Sequence, residues 1–362
     1  MRVKRIMFGL VIGVAITVGT LVLMEGTASD LLFLHDYRAA AASRALIRPH
    51  TMHDTLLGWV NRPSFSSPDE YGKGIGLTTT AEGFRAHSAS ADTRGTAQTR
   101  VVCSGDSYTL GYGVADDRTW CALLARDNVR VETINMGQID YGLDQTYLAY
   151  RRDGERAGCQ IEVLGLTNAQ LERLTTANNG GRFKPTLALD GDTLVTKDVP
   201  VRPQTSESLR SAARARTMDE LRVVQLVRKI PGMDGRARES KRIDEQWPLV
   251  EKVLDALDAE DKRHGSRLVV AYLPTKRDLK PSYIDARRSR LAEYSHRHGT
   301  EFVDLTPAMR ALRKDSLDLA FISRVPHGAA PGVANQYSNL GNMWVAHMLS
   351  SHLFARTVVA SR

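Results

Sequence analysis

Cysteine is scarce in this sequence, which has only Cys103, Cys121 and Cys159 among its 362 residues. No C-x-x-C pair occurs, so the pattern supports neither a zinc-binding nor a thioredoxin-type motif. The three side chains are expected to be buried as small hydrophobic residues. The alternative, in an oxidising compartment, is one disulfide with one thiol left over.

Glycine and proline are also too few, at 28 and 13 residues, for a collagen-like or low-complexity chain. Hydrophobic residues make up 42% of the chain and charged residues 25%, which allows a packed core and excludes general disorder. Aromatic residues are only 6% of the chain. The composition is therefore that of a folded globular protein.

The net charge of +8 comes mainly from two segments rather than from one binding face. Arg2, Lys4 and Arg5 lie at the N-terminus, and residues 204–245 hold ten Lys and Arg against seven Asp and Glu. The remainder of the chain is close to neutral. Since nucleic-acid binding needs a concentrated basic surface, no nucleic-acid partner is expected.

The apolar run Ile6–Met24 follows the three basic residues without an interrupting charge. As a helix it is about long enough to cross a hydrocarbon core. Residues 1–28 are therefore predicted to be a single-pass anchor in the inner (cytoplasmic) membrane, with the N-terminus inside and the main domain exported to the periplasm. The alternative is a secreted protein whose signal peptide is cleaved near Ala28, within the small-x-small pattern Gly26-Thr27-Ala28.

An alternation of strands and helices begins near residue 99 and predicts a doubly wound parallel sheet with helices on both faces. The predicted strands are Arg100–Cys103, Val129–Ile134, Ile161–Leu166, Leu268–Leu273 and Glu301–Val303. The predicted helices are Asp117–Arg126, Leu143–Arg152, Trp247–Arg263, Ser282–His298 and Leu340–Leu353.

Two other intervals do not follow this alternation. Residues 29–98 are predicted to be a helical and turn-rich lead-in, with an Ala-rich helix over Leu31–Ile47 and a linker over Ser88–Gln98. The α/β domain is predicted over residues 99–355, with an insertion at about 175–245.

The insertion itself contains two predicted elements. A hairpin is expected to turn at Asp190-Gly191-Asp192, and a basic solvated helix is expected over Thr205–Arg228.

The segment G-D-S-Y-T-L-G-Y-G-V, residues 105–114, carries the strongest chemical signal. It follows a buried strand, so Ser107 is expected at the carboxyl edge of the sheet, where ligands bind in open α/β folds. A serine there is a candidate nucleophile, and backbone N–H groups of the turn could stabilise an oxyanion. A simple tight turn is the alternative.

This segment resembles the first conserved block of the SGNH/GDSL hydrolases, and I-N-M-G-Q resembles the second. The resemblance covers roughly residues 54–353 and is closest to exported, saccharide-linked members. It implies a three-layer, flavodoxin-like α/β fold, and it implies Gly137 as an oxyanion donor through its backbone N–H. No metal and no organic cofactor are implied.

The third and fourth blocks depart from the family pattern. G-L-T-N places Asn168 one position later than the oxyanion asparagine of the family, and capping of the following helix is the alternative role. Before Y-S-N-L-G-N, the histidine and acid positions of the family hold Gln336 and Ala334. Glutamine cannot accept a proton as a general base, so His327, in the nearby loop, is the candidate replacement.

Two functions follow from these residues. The first is a membrane-anchored serine ester hydrolase or acyl transferase acting on O-acyl groups of a small molecule or an exported saccharide. The second is a catalytically degenerate binding or assembly protein of the cell envelope with the same fold. Nothing in the sequence assigns an oligomeric state.

Overall fold

The computed structural model describes residues 2–44, 48–87, 98–179, 182–203, 235–280, 283 and 286–354. The predicted helix Thr205–Arg228 and most of the predicted linker, residues 88–97, lie outside this part of the chain. The chain divides into two compact units. Among the described residues, 2–44 and 235–242 belong to the first unit, and those in 48–203 and 243–354 belong to the second.

The described helices are α1 (Arg2–Arg44), α2 (Ser107–Leu110), α3 (Trp120–Asp127), α4 (Leu143–Ala157), α5 (Asn168–Arg173), α6 (Gly235–His264), α7 (Ala286–His298), α8 (Thr306–Arg310), α9 (Lys314–Leu319) and α10 (Asn339–Phe354). The described strands are β1 (Thr51–Asp54), β2 (Gly58–Asn61), β3 (Ser66–Ser67), β4 (Leu77–Thr78), β5 (Thr99–Gly105), β6 (Val131–Asn135), β7 (Ile161–Leu166), β8 (Asn178–Asn179), β9 (Arg182–Phe183), β10 (Thr186–Asp190), β11 (Thr193–Lys197), β12 (Arg267–Tyr272) and β13 (Glu301–Asp304).

In the first unit, α1 joins the predicted apolar segment and most of the predicted Ala-rich segment in one helix. Its stretch Gly9–Leu31 is long and apolar enough to cross a membrane by length and composition. The apolar window is not buried within the described structure, unlike the core helix of a soluble protein. A signal sequence near an N-terminus meets the same criterion.

The second unit contains a five-stranded parallel sheet with the strand order β13-β12-β7-β5-β6. From β5 the chain moves outward to β6 and then returns to β7 on the other side of β5. Strand order therefore reverses between β5 and β7, and ligands of open α/β sheets bind at the carboxyl ends of the strands at such a point. The predicted doubly wound, flavodoxin-like fold is confirmed.

Helices cover both faces of this sheet. Successive residues of a strand point to opposite faces, so each strand contributes side chains to the packing on both sides. Val101 and Val163 pack in one buried cluster with side chains of α3 and α10. Val102 and Leu164 pack in a second cluster with side chains of α4, α6 and α7. The sheet is thus buried on both faces, as its nearly continuous apolar strands predict.

Part of the predicted lead-in and part of the predicted insertion belong to this same core. Leu57 and Trp59, from the turn-rich interval, are buried in the α4 cluster together with Leu187 of the insertion. The β10–β11 hairpin pairs Asp190 with Thr193, which confirms the predicted turn. These parts of the lead-in and of the insertion therefore pack on the α4 side of the sheet.

A disulfide joins Cys103 of β5 to Cys121 of α3, with the two Cα atoms 6.3 Å apart. Cys159 is free and buried. The expectation that all three side chains are free and buried is therefore wrong for two of them, and the alternative of one disulfide with one thiol left over is confirmed. The reason is tertiary, because Cys103 and Cys121 lie in the same cluster between the sheet and α3. Such bonds persist mainly in oxidising compartments.

Replacing both Cys103 and Cys121 with alanine is expected to lower the free energy of unfolding by about 3 kcal/mol, because the bond closes a loop of 18 residues. Urea unfolding with and without reductant measures this effect. The Cys159→Ala variant is the control and should keep the full sensitivity to reductant. Equal stability of the wild-type protein in both conditions would show that the bond does not form.

Candidate active site

Ser107 is the first residue of α2 and follows the carboxyl end of β5. Its side chain is nearly buried, with 5% of the residue exposed. At the strand end, Gly105 has a φ of +148°, and a Cβ there would lie only 2.6 Å from the carbonyl oxygen of Gly165. The glycine therefore allows β5 and β7 to approach closely just before the serine.

Asp106 fixes the turn that carries Ser107. One carboxylate oxygen accepts a hydrogen bond from the backbone N–H of Tyr108, at 3.0 Å. The other accepts from Thr167 Oγ1 at 2.8 Å and faces Arg173 Nη1 at 3.5 Å. Burial raises the pKa of Asp106, while Arg173 acts against this rise. Asp106 thus ties the end of β5 to the segment that follows β7.

Gln336 contacts the Ser107 hydroxyl directly. Its Nε2 donates to Ser107 Oγ at 3.2 Å. Its Oε1 is buried and has no hydrogen-bond partner in the structure as described. The loop is fixed beside α2 because Tyr108 OH donates to the carbonyl of Asn335 at 2.9 Å. Ala334 is exposed. Gln336 can orient the hydroxyl but cannot take up its proton.

Gly137 lies in the loop after β6 and packs against α2. A Cβ at this position would come within 2.7 Å of the Leu110 Cα, so only glycine fits. The Gly137 N–H donates to Asn135 Oδ1 at 2.9 Å. The predicted oxyanion donor is therefore engaged by a side chain of its own loop in this conformation.

Asn168 is the first residue of α5, and its amide group donates to side chains other than Ser107. Its Nδ2 donates to Glu172 Oε1 at 3.1 Å and to the Tyr283 hydroxyl at 2.8 Å. Its Oδ1 is buried without a hydrogen-bond partner in the described part of the chain. The N-cap of α5 is Thr167, whose Oγ1 accepts from the Gln170 N–H. The alternative role of Asn168 as the cap is therefore wrong.

His327 is exposed and lies in the loop beside Gly72. No hydrogen bond joins it to Ser107 in the described structure. The structure thus brings Gln336 to the serine and does not bring the predicted replacement base there.

His50 is a buried histidine that no sequence motif assigns to this domain. Its Nδ1 lies 2.9 Å from Glu70 Oε1, and its ring centre is 6.0 Å from that of Tyr112. Burial lowers the pKa of His50, while the bond to Glu70 acts against this shift. A long-range contact of this kind leaves no local pattern in the sequence. Within the described residues, no group of three or more His, Cys, Asp and Glu side chains could hold a metal ion.

No protein-family model matches the chain, and no curated protein matches it either. Several solved structures are similar in fold. A member of the lipolytic G-D-S-L family from Veillonella parvula is 13% identical with a TM-score of 0.38, over 71% of this chain and 98% of that one.

Two other similar structures are an Enterococcus faecalis lipase/acylhydrolase and an acetyl xylan esterase. The former is 12% identical with a TM-score of 0.38, over 72% of this chain and 97% of that one. The latter is 12% identical with a TM-score of 0.39, over 70% of this chain and 100% of that one.

Proposed function

We propose that this chain is an SGNH/GDSL-type serine ester hydrolase or acyl transferase with Ser107 as its nucleophile. The observation that carries the proposal is the position of the Ser107 hydroxyl. It follows β5 at the point where strand order reverses, and the loop before α10 reaches it through Gln336. Ligands bind at this position in doubly wound sheets.

In the proposed reaction, Ser107 Oγ forms a bond to the acyl carbon of an ester and the alcohol leaves. Hydrolysis passes the acyl group to water, and transfer passes it to another hydroxyl. The Ser107 N–H, Gly137 N–H and Asn168 amide are the proposed oxyanion donors. Gly137 must first release Asn135, and Asn168 must turn from Glu172.

The proton of Ser107 needs an acceptor that Gln336 cannot provide. His327 is the proposed base, and this role requires its loop to move towards Ser107. Because the described conformation holds Gln336 at the serine instead, slow turnover is expected. General-base catalysis contributes about 10²- to 10⁴-fold in rate.

We further propose that α1 anchors the protein in the inner membrane and that the second unit is exported. The length and apolar composition of Gly9–Leu31 support the anchor. The Cys103–Cys121 disulfide supports an oxidising compartment. An O-acylated small molecule or exported saccharide is the proposed substrate.

A second candidate function is a binding protein that kept the fold and the serine but lost catalysis. The bond from Gln336 to Ser107 favours it, because an amide satisfies the hydroxyl without activating it. The two functions differ in whether Ser107 reacts.

Labelling with a fluorophosphonate probe and turnover of p-nitrophenyl acetate distinguish the two functions. A hydrolase is expected to show both, and Ser107→Ala should abolish both while the control Ser350→Ala changes neither. Loss of activity in His327→Ala would assign the base to that residue. Equal rates for the wild-type protein and Ser107→Ala, without labelling, would reject the enzyme and leave the binding protein.

A further inference from the structure

Two arginines of the second unit are buried with most of their donors unused. Arg48 is 2% exposed and Arg182 is 6% exposed. In both side chains, Nε and Nη1 are buried and have no hydrogen-bond partner in the described structure. Buried guanidinium groups are normally paired, because an unpaired buried donor costs free energy. The two arginines together have four nitrogen atoms that carry hydrogen and lack a partner, which suggests that they bind a group from outside the chain.

Arg182 is held rigidly. Its guanidinium lies over the ring of Trp59, with its Cζ atom 4.0 Å from the ring centre. Its Nη2 donates to Asp140 Oδ2 at 2.5 Å. Asp140 is a non-glycine residue with a φ of +59°, and its other carboxylate oxygen lies 3.8 Å from Arg173 Nη2. The Nη2 atom of Arg182 thus binds the loop after β6, while Nε and Nη1 have no hydrogen-bond partner in the described structure.

Arg48 approaches from another segment. Its Cζ lies 5.4 Å from the centre of the Tyr112 ring. On the loop before α10, a Cβ at Gly332 would lie 3.2 Å from Arg48 Nη2, so this glycine leaves room for the guanidinium. The nearby Glu70 carboxylate is bonded by His50 rather than by Arg48.

The positive charges of Arg48 and Arg182 repel each other. Burial lowers the pKa of Arg182, and the positive charges of Arg48 and Arg173 add to this effect, while Asp140 opposes it. Burial raises the pKa of Tyr112, and Arg48 and Arg182 both act against that rise. The charge of Arg182 thus acts on both Arg48 and Tyr112, while Arg48 is the arginine that lies over the Tyr112 ring.

This cluster adjoins the candidate nucleophile. The N–H of Tyr112 donates to the carbonyl of Ser107 at 3.0 Å. Arg173, which faces Asp140, also faces Asp106, the residue before Ser107. These contacts connect the segments around the two arginines to the segment that carries the serine.

We propose that Arg48 and Arg182 form a binding site for an anionic group, a carboxylate or a phosphate. Guanidinium groups offer parallel donors that fit the paired oxygens of such anions. In combination with the proposed function, on which this step rests, the substrate is an acyl ester that also carries this anionic group. Its anion would bind at the arginines and its acyl group would reach Ser107. The anion site itself does not depend on the reactivity of Ser107.

Isothermal titration calorimetry of the full-length protein tests the site, with inorganic phosphate, glucuronate and glucose as probes at constant ionic strength. We expect saturable binding of phosphate or glucuronate and no binding of glucose. The anion that binds more tightly shows whether the site prefers a phosphate or a carboxylate. Arg48→Gln and Arg182→Gln are expected to weaken binding about tenfold or more, because each removes charge-assisted hydrogen bonds. Arg126→Gln, a change at an exposed arginine, is the matched control and should bind as the wild-type protein does.

Arg182→Gln also breaks the bond to Asp140, so Arg182→Lys is included and folding is checked by circular dichroism. Lysine keeps the charge but lacks the paired donors, and weaker binding is again expected. The proposal is overturned if neither anion binds saturably, or if folded Arg48 and Arg182 variants bind as tightly as the wild-type protein. Ser107→Ala should bind the anion unchanged. Anion binding without ester turnover would reject only the enzymatic step.

Discussion

Replacing Gln336 with histidine is expected to raise the turnover of p-nitrophenyl acetate by about 10²- to 10⁴-fold, the usual contribution of a general base. The reason is geometric. Gln336 Nε2 already lies 3.2 Å from Ser107 Oγ, so an imidazole at this position can reach the same hydroxyl and accept its proton. Steady-state rates of the wild-type protein and the variant at neutral pH measure the change.

Adding Ala334→Asp is expected to increase the rate further by a smaller factor. Ala334 is exposed, so a carboxylate there is partly solvated and its interaction with the new histidine is screened. The same substitutions combined with Ser107→Ala are the control and should show no gain. A folded Gln336→His protein that is no faster than the wild type would mean that the hydroxyl is not placed for attack.

The fold could be predicted largely from the sequence because its signals are local. The apolar strands Ile161–Leu166 and Leu268–Leu273 are nearly continuous, as buried parallel strands are, and the structure places β7 and β12 there within one residue. The pairing of Gly105 with Gly165 could not be predicted from the sequence, because it depends on the register between two strands that are distant along the chain.

The site was less predictable, because its geometry depends on contacts between distant segments. The position of Gln336 follows from its spacing before Y-S-N-L-G-N, and the structure places it at Ser107. Arg48 and Arg182 gave no signal, since single arginines outside a motif look like surface residues. Arg48 lies over Tyr112 and Arg182 lies over Trp59, and in each pair the aromatic residue is far from its arginine in the sequence.

Lys184 shows the same limit inside the insertion. Its ammonium group is bonded to Asp144 of α4, and both side chains are fully buried. Nothing in the local pattern around Lys184 distinguishes it from a solvated lysine. The pair forms because the segment after β9 packs against α4, where the Lys184 Nζ also donates to the carbonyl of Pro185 at 3.0 Å.

Removing one member of this buried pair is expected to lower the free energy of unfolding by about 3–5 kcal/mol, because an uncompensated charge is left in the core. Lys184→Met and Asp144→Asn are the single variants, and urea unfolding of the purified protein measures the loss. The double variant Asp144→Leu with Lys184→Met is the control and should lose much less, since it removes both charges and keeps apolar volume. Similar losses in all three variants would show that packing, rather than charge, explains the effect.

The pH dependence separates the two single variants further. Burial raises the pKa of Asp144 to about 6, and Lys184 acts against this rise. Lys184→Met removes that opposition, so the carboxyl pKa rises further; the folded state then holds the proton more tightly than the unfolded state, and stability falls as pH rises. The loss relative to the wild type should therefore be smaller at pH 5 than at pH 8.

In Asp144→Asn the buried ammonium group of Lys184 has no carboxylate partner, and its pKa, already lowered by burial, falls further. The unfolded state then binds a proton more readily than the folded state, so the free energy of unfolding decreases as pH falls. This variant should therefore show its larger loss of stability at pH 5.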